Sequence, residues 1–307
     1  MAEIVIIGAH TAVGQALGEA LEDRGLEGRA ARATTTEHVG PGLVLIEPDL
    51  LSGARIVLSC FDDPVVRSLA EHAGRLKAAL VDVAGVLGPD EAPLVAPLLG
   101  RRTEPPPPGA SRLAVGPLGP LASVLEALAP FGLRAVRAVS LESAAGRGQP
   151  GIEELSAQTQ AVFTGRDAPL EVLGAPLAFG IHGATGEGDA DALARDLGAL
   201  LGAAAPASLS VARTRVSSFT GEGISFAALL DDPPEVEAAA DRIGAARGLR
   251  LVDRPIRSLE AVERDDALVG ELRLRGPWLD LFVAYDRLRA GAAAAAALLA
   301  EAALGEA

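Results

Sequence analysis

The first 115 residues alternate short apolar strands with amphipathic helices. Ile4–Ile7 is wholly apolar and leads into the turn Gly8-Ala-His-Thr-Ala-Val-Gly14, after which an amphipathic helix extends to Glu22. A strand, a glycine turn and a helix in this order open many folds with a parallel sheet. Since strands and helices continue to alternate, we expect an α/β domain with a doubly wound, Rossmann-type parallel sheet.

Further segments predict the rest of this domain. A helical pattern covers Pro64–Leu76, and an alanine-rich helix is predicted from Leu288 to Ala307, whose small side chains allow close packing. The remaining strands are predicted at Gly28–Ala33, Arg55–Ser59, Ala79–Val83 and Leu113–Val115. We therefore expect a first domain over residues 1–118, completed by the C-terminal helix 288–307.

The pattern changes after residue 120. A helix is predicted over Leu121–Leu128 with Pro120 in its first turn, and the following strands, such as Ala135–Leu141 and Ser208–Ser217, are more widely spaced. This pattern favours a second domain, of the α+β type, over residues 119–287.

Composition excludes several classes of function. The net charge of −14 argues against a nucleic-acid partner, because such proteins cluster Lys and Arg against phosphates. The one cysteine, Cys60, allows no internal disulfide and fits a reducing cytoplasm, and the one lysine, Lys77, is the only possible Schiff-base residue. No metal-ligand spacing, signal-peptide pattern or strongly apolar run of about 20 residues is present. We expect a cytoplasmic protein without bound metal or membrane contact.

Three later segments carry a more specific signal than the opening turn. They are Val139–Leu155 (VSLESAAGRGQPGIEEL), Arg213–Glu222 (RTRVSSFTGE) and Leu281–Ala293 (LFVAYDRLRAGAA). In this order, behind a Gly-Ala-x-x-Ala-Val-Gly opening, they resemble the aspartate-semialdehyde dehydrogenase family over nearly the whole chain. The resemblance implies NADP- and phosphate-dependent chemistry on aspartate β-semialdehyde through a cysteine thioester. It also implies a second domain that carries catalysis and forms a dimer.

The chain departs from the family at the positions that carry this chemistry. The resemblance places the family's nucleophilic cysteine at Gly119, within Gly116-Pro-Leu-Gly-Pro120, where no side chain can attack. Glu222 stands in place of the acid/base histidine, and a carboxylate has no proton to donate at neutral pH. Glu142 stands in place of the substrate-orienting glutamine, where we expect its charge to repel an acidic substrate. The substrate-binding arginine persists as Arg215, and we expect it to form an ion pair with Glu142, Glu222 or both.

The cofactor positions are altered as well. Of the family's three turn glycines, Gly8 and Gly14 remain, but Thr11 replaces the middle one, where a side chain crowds the approach of a pyrophosphate. The resemblance aligns a cofactor-contacting asparagine with Ala295. Ala12 and Val13 complete the turn, while Arg29, Arg32 and Thr34–Thr36 are compatible with a 2′-phosphate. We expect NADP binding to be weak or absent and the turn to be vestigial.

These substitutions predict a catalytically inactive homologue that acts as an interaction or regulatory protein. The resemblance predicts a homodimer through the second domain, or pairing with an active relative. Two alternatives remain. One is an active NADP-dependent dehydrogenase of amino-acid biosynthesis. The other is a repurposed hydrolase or lyase that uses Glu142 and Glu222 as paired carboxylates with Arg215 as an anion clamp, in which case both carboxylates should converge on one open cavity.

Overall fold

The chain forms two compact units, as the computed structural model shows. One consists of residues 1–115 together with 291–307, and the other of residues 116–290. The structure describes residues 2–34, 40–61, 64–73, 78–100, 102–184 and 191–305. Thr35, Thr36 and Lys77, which the sequence analysis singled out, lie outside the described residues.

The first unit contains a seven-stranded sheet in the order β3-β2-β1-β4-β5-β7-β6, and every paired neighbour is parallel. Strand order reverses beside β1, which is the arrangement of a doubly wound sheet. The predicted fold class is therefore confirmed. The strands are β1 (Ile4–Ile7), β2 (Ala30–Thr34), β3 (Val44–Leu45), β4 (Ile56–Ser59), β5 (Ala79–Asp82), β6 (Leu94–Val95) and β7 (Gly109–Leu113).

The central strands β1, β4 and β5 are buried along their whole length, which explains their continuous apolar or small-residue sequences. The prediction for the last strand was wrong: β7 spans Gly109–Leu113, not Leu113–Val115. β7 contains the polar residues Ser111 and Arg112, and a search for apolar residues alone therefore placed the strand too late in the sequence. The helices of this unit are α1 (Ala12–Glu22), α2 (Pro48–Ser52), α3 (Pro64–His72) and α8 (Ala294–Leu304).

The predicted tail helix begins differently from expectation. Arg289–Ala293 forms a π-helical turn, and regular α8 follows from Ala294 to Leu304. Eight of its eleven residues are buried, mostly alanines, and it packs against α1, where Arg24 and Glu301 form an ion pair at 3.6 Å. The small side chains thus permit close packing of two helices.

The second unit is built on a mixed seven-stranded sheet in the order β12-β13-β14-β11-β8-β10-β9. β8 and β10 are parallel neighbours, whereas β11 runs antiparallel to both β8 and β14. The carboxyl ends of β8 and β10 therefore lie beside the start of β11. The strands are β8 (Leu133–Glu142), β9 (Ile181–Gly183), β10 (Ser208–Val216), β11 (Gly221–Leu230), β12 (Leu249–Leu251), β13 (Ala267–Arg275) and β14 (Trp278–Asp286).

Three helices of this unit, α4, α6 and α7, pack on one another or on the sheet. The predicted helix Leu121–Leu128 begins three residues earlier, at Leu118. Pro120 lies within its first turn, where a missing amide hydrogen costs no helical hydrogen bond, so proline does not mark the start. The helices are α4 (Leu118–Leu128), α5 (Gly148–Thr164), α6 (Ala192–Leu201) and α7 (Val236–Ala245).

Candidate functional site

Glu142, the last residue of β8, is paired with an arginine that the sequence analysis did not single out. Arg213 donates from Nε to Glu142 Oε1 at 2.6 Å and from Nη2 to Oε2 at 2.9 Å. This two-point geometry is the strongest arrangement of a carboxylate and a guanidinium. In the β8–β10 register Arg213 faces Ser140, so the pair is diagonal across the two strands.

Glu222, the second residue of β11, is fully buried and surrounded by donors. Its Oε1 accepts from the Ser143 amide at 3.0 Å and the Ser143 hydroxyl at 2.9 Å. Its Oε2 accepts a short hydrogen bond from the Tyr285 hydroxyl and lies 3.6 Å from Arg287 Nη1. Both oxygens are therefore engaged within the protein.

The neighbours of Glu222 have shifted acidities. Burial, followed by the negative charge of Glu222, raises the pKa of Tyr285 well above its usual value. Burial opposes the charged form of Arg287, but Glu222, Tyr285 and Glu142 together outweigh it and raise the pKa of that guanidinium. Tyr285 therefore stays a neutral donor to Glu222, and Arg287 stays a cation beside it.

Glu142, Arg213 and Arg287 border an open cavity of about 490 Å³ in the second unit. Four arginines and one glutamate line it, so its wall is strongly cationic although the chain carries a net charge of −14. Glu142 is buried and both of its oxygens are held by Arg213, so the expected repulsion of an acidic ligand by Glu142 is offset. The lining residues are Glu142, Ser143, Gly146, Arg147, Arg213, Arg215 and Arg287.

Arg215, predicted to form an ion pair, lies in β10 directly opposite Glu142 and is 4% exposed. Its Nη1 donates to the carbonyl oxygen of Leu173 at 3.2 Å. Arg213 is a two-point partner of Glu142, and Arg287 is a cation beside Glu222. The prediction thus gave the correct carboxylates but missed these two arginines.

Gly119 is buried in the first turn of α4. The turn before it is shaped by Gly116, which has φ +62°, and a Cβ built there would lie 2.5 Å from Arg287 Nη1. The Arg287 guanidinium therefore occupies the space beside the start of α4, and only a glycine at position 116 leaves room for it.

The chain's only thiol does not replace the nucleophile. Cys60 is buried in the first unit, and burial, together with the charge of Asp82, raises the pKa of its thiol far above the ordinary range. A reactive cysteine requires the thiolate, so Cys60 is inert at neutral pH.

The segment that carried part of the resemblance shapes the cavity wall. Ala144–Arg147 form a 3₁₀ turn, and α5 begins at Gly148 with φ +66°. Further along α5, buried Gln158 accepts from the Leu177 amide at 2.7 Å and donates to the Pro169 carbonyl at 2.8 Å. Gln158 therefore fixes the loop that follows the helix, and Gly146 and Arg147 of the 3₁₀ turn line the cavity.

In the first unit, the glycine turn is closed by its own hydrogen bonds. The Gly14 amide donates to Thr11 Oγ1 at 3.0 Å, and this hydroxyl donates to the Cys60 carbonyl oxygen at 3.2 Å. The Gly8 amide donates to Ala33 at 2.9 Å. Thr11 thus caps α1, whose first turn contains Ala12 and Val13.

The two retained glycines have structural reasons to be there. Gly8 has φ +76°, and a Cβ on it would lie 2.8 Å from the Phe61 ring. A Cβ on Gly14 would lie only 2.2 Å from the Gly8 carbonyl oxygen. Gly14 is therefore required for the close approach of α1 to the turn after β1, and Gly8 leaves room for Phe61, whether or not a ligand is bound.

The predicted contacts for a 2′-phosphate are largely committed elsewhere. Arg29 Nε donates to Glu3 at 2.7 Å, and buried Thr34 bonds to His10 Nδ1 at 3.0 Å. Arg32 lies on β2 beside a groove that also contains three glutamates, at positions 19, 22 and 27. Ala295 is buried in α8. Of these residues, Arg29 and Thr34 are thus already hydrogen-bonded to other parts of the protein.

Sequence reasoning missed Arg213, Tyr285 and Arg287. Arg213 was detectable, because alternate residues of a strand share a face and it lies two positions before Arg215. Tyr285 and Arg287 carried no such signal, because their proximity to Glu222 depends on the pairing of β11 with β14. Among the described residues, no group of His, Cys, Asp and Glu could hold a metal ion, and no helix could span a membrane.

The fold and site define a two-unit α/β protein in which a doubly wound parallel sheet accompanies a mixed sheet that carries the cavity. No protein-family model matches the chain. The chain is 32% identical to an aspartate-semialdehyde dehydrogenase of Mycolicibacterium smegmatis over 53% of its own length. The matched segment spans about half, 54%, of that relative's length. The chain is 28% identical to a USG-1 protein homolog of Azotobacter vinelandii, over 97% of this chain and 96% of the relative.

Solved structures share the whole fold. A probable aspartate-semialdehyde dehydrogenase from Pseudomonas aeruginosa superposes with a TM-score of 0.85, at 23% identity over 98% of this chain and 97% of that chain. The enzyme from Candida albicans, solved with NADP, gives a TM-score of 0.71, at 15% identity over 100% and 99% of the chains. The chain is thus similar in sequence to an aspartate-semialdehyde dehydrogenase over about half of its length, and it shares the fold of solved enzymes of this family over its whole length.

Proposed function

We propose that the chain is a non-catalytic member of this family, a cytoplasmic regulatory protein that binds a small anion in the cavity of its second unit. One observation carries the proposal: four arginines line the cavity, and among the described residues its lining includes no cysteine, histidine or lysine. Such a wall attracts anionic groups but offers none of the side chains that the family's chemistry requires.

The family's two chemical positions support the same conclusion. Gly119 offers no nucleophile, and Cys60 is a buried, protonated thiol in the other unit. At the acid/base position, Glu222 is fully buried, and Ser143, Tyr285 and Arg287 engage its oxygens. A base must be within reach of its substrate, and Glu222 is fully buried and does not line the cavity.

The same contacts weigh against a paired-carboxylate enzyme. That alternative requires Glu142 and Glu222 to converge on one open cavity, but of the two only Glu142 lines it. Arg213 holds both oxygens of Glu142. Each carboxylate is thus neutralised by its own arginine rather than coupled to the other, so we do not favour this function.

We propose as well that the chain binds NADP weakly or not at all. The Candida albicans enzyme was solved with NADP, whereas the turn of this chain is capped by Thr11. Arg29 and Thr34, two of the residues considered for a 2′-phosphate, are bonded within the protein. The anion site of the second unit would then serve for binding a ligand rather than for turnover with a cofactor.

We further propose that the protein is a homodimer, or pairs with an active relative, through one face of the mixed sheet. Val139 is 37% exposed there, beside a shallow cavity of about 360 Å³ that Ala227 and Phe282 also line. Arginines and acidic residues surround this apolar centre, with Arg273 3.9 Å from Glu271. A face that carries both signs around an apolar centre can complement itself across a two-fold axis.

Anion binding is tested by titration calorimetry with inorganic phosphate and, separately, with succinate. We expect one site per chain for at least one of these anions, and Arg215→Gln should weaken it by about 10-fold or more, since a charge-assisted hydrogen bond is lost. Glu142→Gln should strengthen binding by about threefold to 30-fold, because Arg213 is freed for the ligand.

The two variants should change anion affinity in opposite directions, which a non-specific effect of charge loss on folding would not do. Arg134→Gln serves as the matched control, because Arg134 is an exposed arginine at the other end of β8. The proposal fails if neither anion binds the wild type, or if Arg134→Gln and Arg215→Gln weaken binding equally.

A further inference from the structure

Thr11 does more in the glycine turn than crowd it. Its Oγ1 accepts the Gly14 amide hydrogen at 3.0 Å, and its own hydrogen points to the Cys60 carbonyl oxygen at 3.2 Å. Two hydrogen bonds in different directions fix the hydroxyl oxygen over the first turn of α1. The position of the hydroxyl oxygen is therefore fixed by its contacts with Cys60, the residue after β4, and with Gly14 in α1, so the side chain does not rotate freely.

Two further backbone amides near this hydroxyl donate within the protein. The Thr11 amide donates to Gly8 at 3.0 Å, and the Gln15 amide donates to Thr11 at 2.8 Å. A phosphate at a helix N-terminus accepts hydrogens from amides of this kind. In this chain the Gly14 hydrogen already has an acceptor, which a dinucleotide would have to displace.

Neighbouring side chains hold the turn in this closed form. His10 bonds through Nδ1 to buried Thr34 at 3.0 Å and packs edge-on against Phe61 at 5.3 Å between ring centroids. Phe61 in turn approaches Gly8, where a Cβ would lie 2.8 Å from its ring. The turn is thus anchored on both sides, so it cannot shift freely to accommodate a pyrophosphate.

We propose that Thr11 is the residue that excludes a dinucleotide from this turn, because its hydroxyl serves as an internal substitute for the phosphate at the N-terminus of α1. The inference deepens the weak-cofactor part of the proposed function and is independent of anion binding in the second unit. At this turn, weak cofactor binding then depends on the side chain of Thr11, in addition to the internal hydrogen bonds of Arg29 and Thr34.

Titration calorimetry with NADP tests this inference on the full chain. Thr11→Ser is the matched control, because serine keeps the hydroxyl that caps α1 and should leave binding as weak as in the wild type. Thr11→Gly removes both the hydroxyl and the Cβ, and should tighten NADP binding by at least about 10-fold, the effect of one regained charge-assisted hydrogen bond. Circular dichroism checks that each variant is folded.

If the glycine variant does not fold, Thr11→Ala replaces it, because alanine lacks the hydroxyl but keeps the Cβ; a gain of about threefold or more over serine is then expected. The inference is overturned if the folded glycine or alanine variant binds no better than the serine variant, while weak cofactor binding in the wild type would still stand. Tight NADP binding by the wild type would overturn both.

Discussion

At the scale of single residues, two buried carboxylates are each neutralised by a different arginine. Arg213 holds Glu142 at two points, and Arg287 lies beside Glu222 together with the Tyr285 hydroxyl. A buried charge is costly unless it is paired and hydrogen-bonded. The fold therefore accommodates both glutamates at the family's functional positions, because cations and hydrogen-bond donors contact them.

Tyr285 offers a spectroscopic test of this arrangement, since it is the only tyrosine in the chain. Burial and the charge of Glu222 raise its pKa, so the folded state favours the neutral phenol. Its contribution to the free energy of unfolding is complete below the unfolded pKa of about 10 and is lost as the pH rises above that value. An absorbance titration of tyrosinate should show no ionisation near pH 10 in the folded protein.

The guanidinium-unfolded chain is the control for that titration and should ionise near about 10. Tyr285→Phe should remove this part of the alkaline loss of stability. Formation of tyrosinate near pH 10 while circular dichroism still reports a folded chain would show that Tyr285 is not held against Glu222.

At the scale of elements, the contact of α1 with β1 explains why the glycines of the turn persist without a need for cofactor. A Cβ at Gly14 would lie 2.2 Å from the Gly8 carbonyl oxygen, so Gly14→Ala should lower the free energy of unfolding by roughly 3 kcal/mol or more. Gly18, on the same helix, has no neighbour closer than 3.9 Å to its Cβ position. Gly18→Ala should raise the free energy of unfolding by about 0.5–1 kcal/mol through helix propensity.

Urea denaturation of both variants measures these changes. Equal effects of the two substitutions would contradict the close packing of α1 on β1.

The elements of the first unit were largely predictable because buried parallel strands have continuous apolar sequences. The strands β1, β4 and β5 lie within about a residue of their predicted bounds, and α1 ends at Glu22 as predicted but begins at Ala12, inside the predicted turn. The start of α4 and the position of β7 were not predictable from the sequence. Pro120 is tolerated inside the first turn of α4, and β7 contains the polar residues Ser111 and Arg112. Local sequence does not encode such exceptions, because neighbouring strands and helices decide them.

The candidate site was predictable only in part. Glu142, Arg215 and Glu222 were found through the resemblance, and the structure places all three at one end of the mixed sheet. Their partners depend on strand register: Arg213 reaches Glu142 diagonally, while Tyr285 lies directly opposite Glu222 in the neighbouring strand. Pairing between segments far apart in sequence could not be derived from the sequence alone.

At the scale of the whole molecule, we predict that Val139→Asp converts a dimer into a monomer. A stable interface buries about 1,200–2,000 Å² and does not tolerate an unpaired charge at its centre. Leu251→Asp is the matched control, because Leu251 is 38% exposed, close to the value for Val139, but lies on the edge strand β12. Sedimentation velocity should show dimers for the wild type and Leu251→Asp. A monomeric wild type, or a dimeric Val139→Asp, would contradict the proposed face.

The absence of catalysis is the central claim, and phosphate-dependent formation of NADPH from NADP and aspartate β-semialdehyde tests it most directly. The assay uses the wild-type chain at high concentration, with an active member of the family as the positive control. We predict that NADPH forms no faster than in the same mixture without protein. Gly119 provides no nucleophile, and Glu222 is not an accessible base. Turnover that requires phosphate and scales with the concentration of this chain would contradict the account.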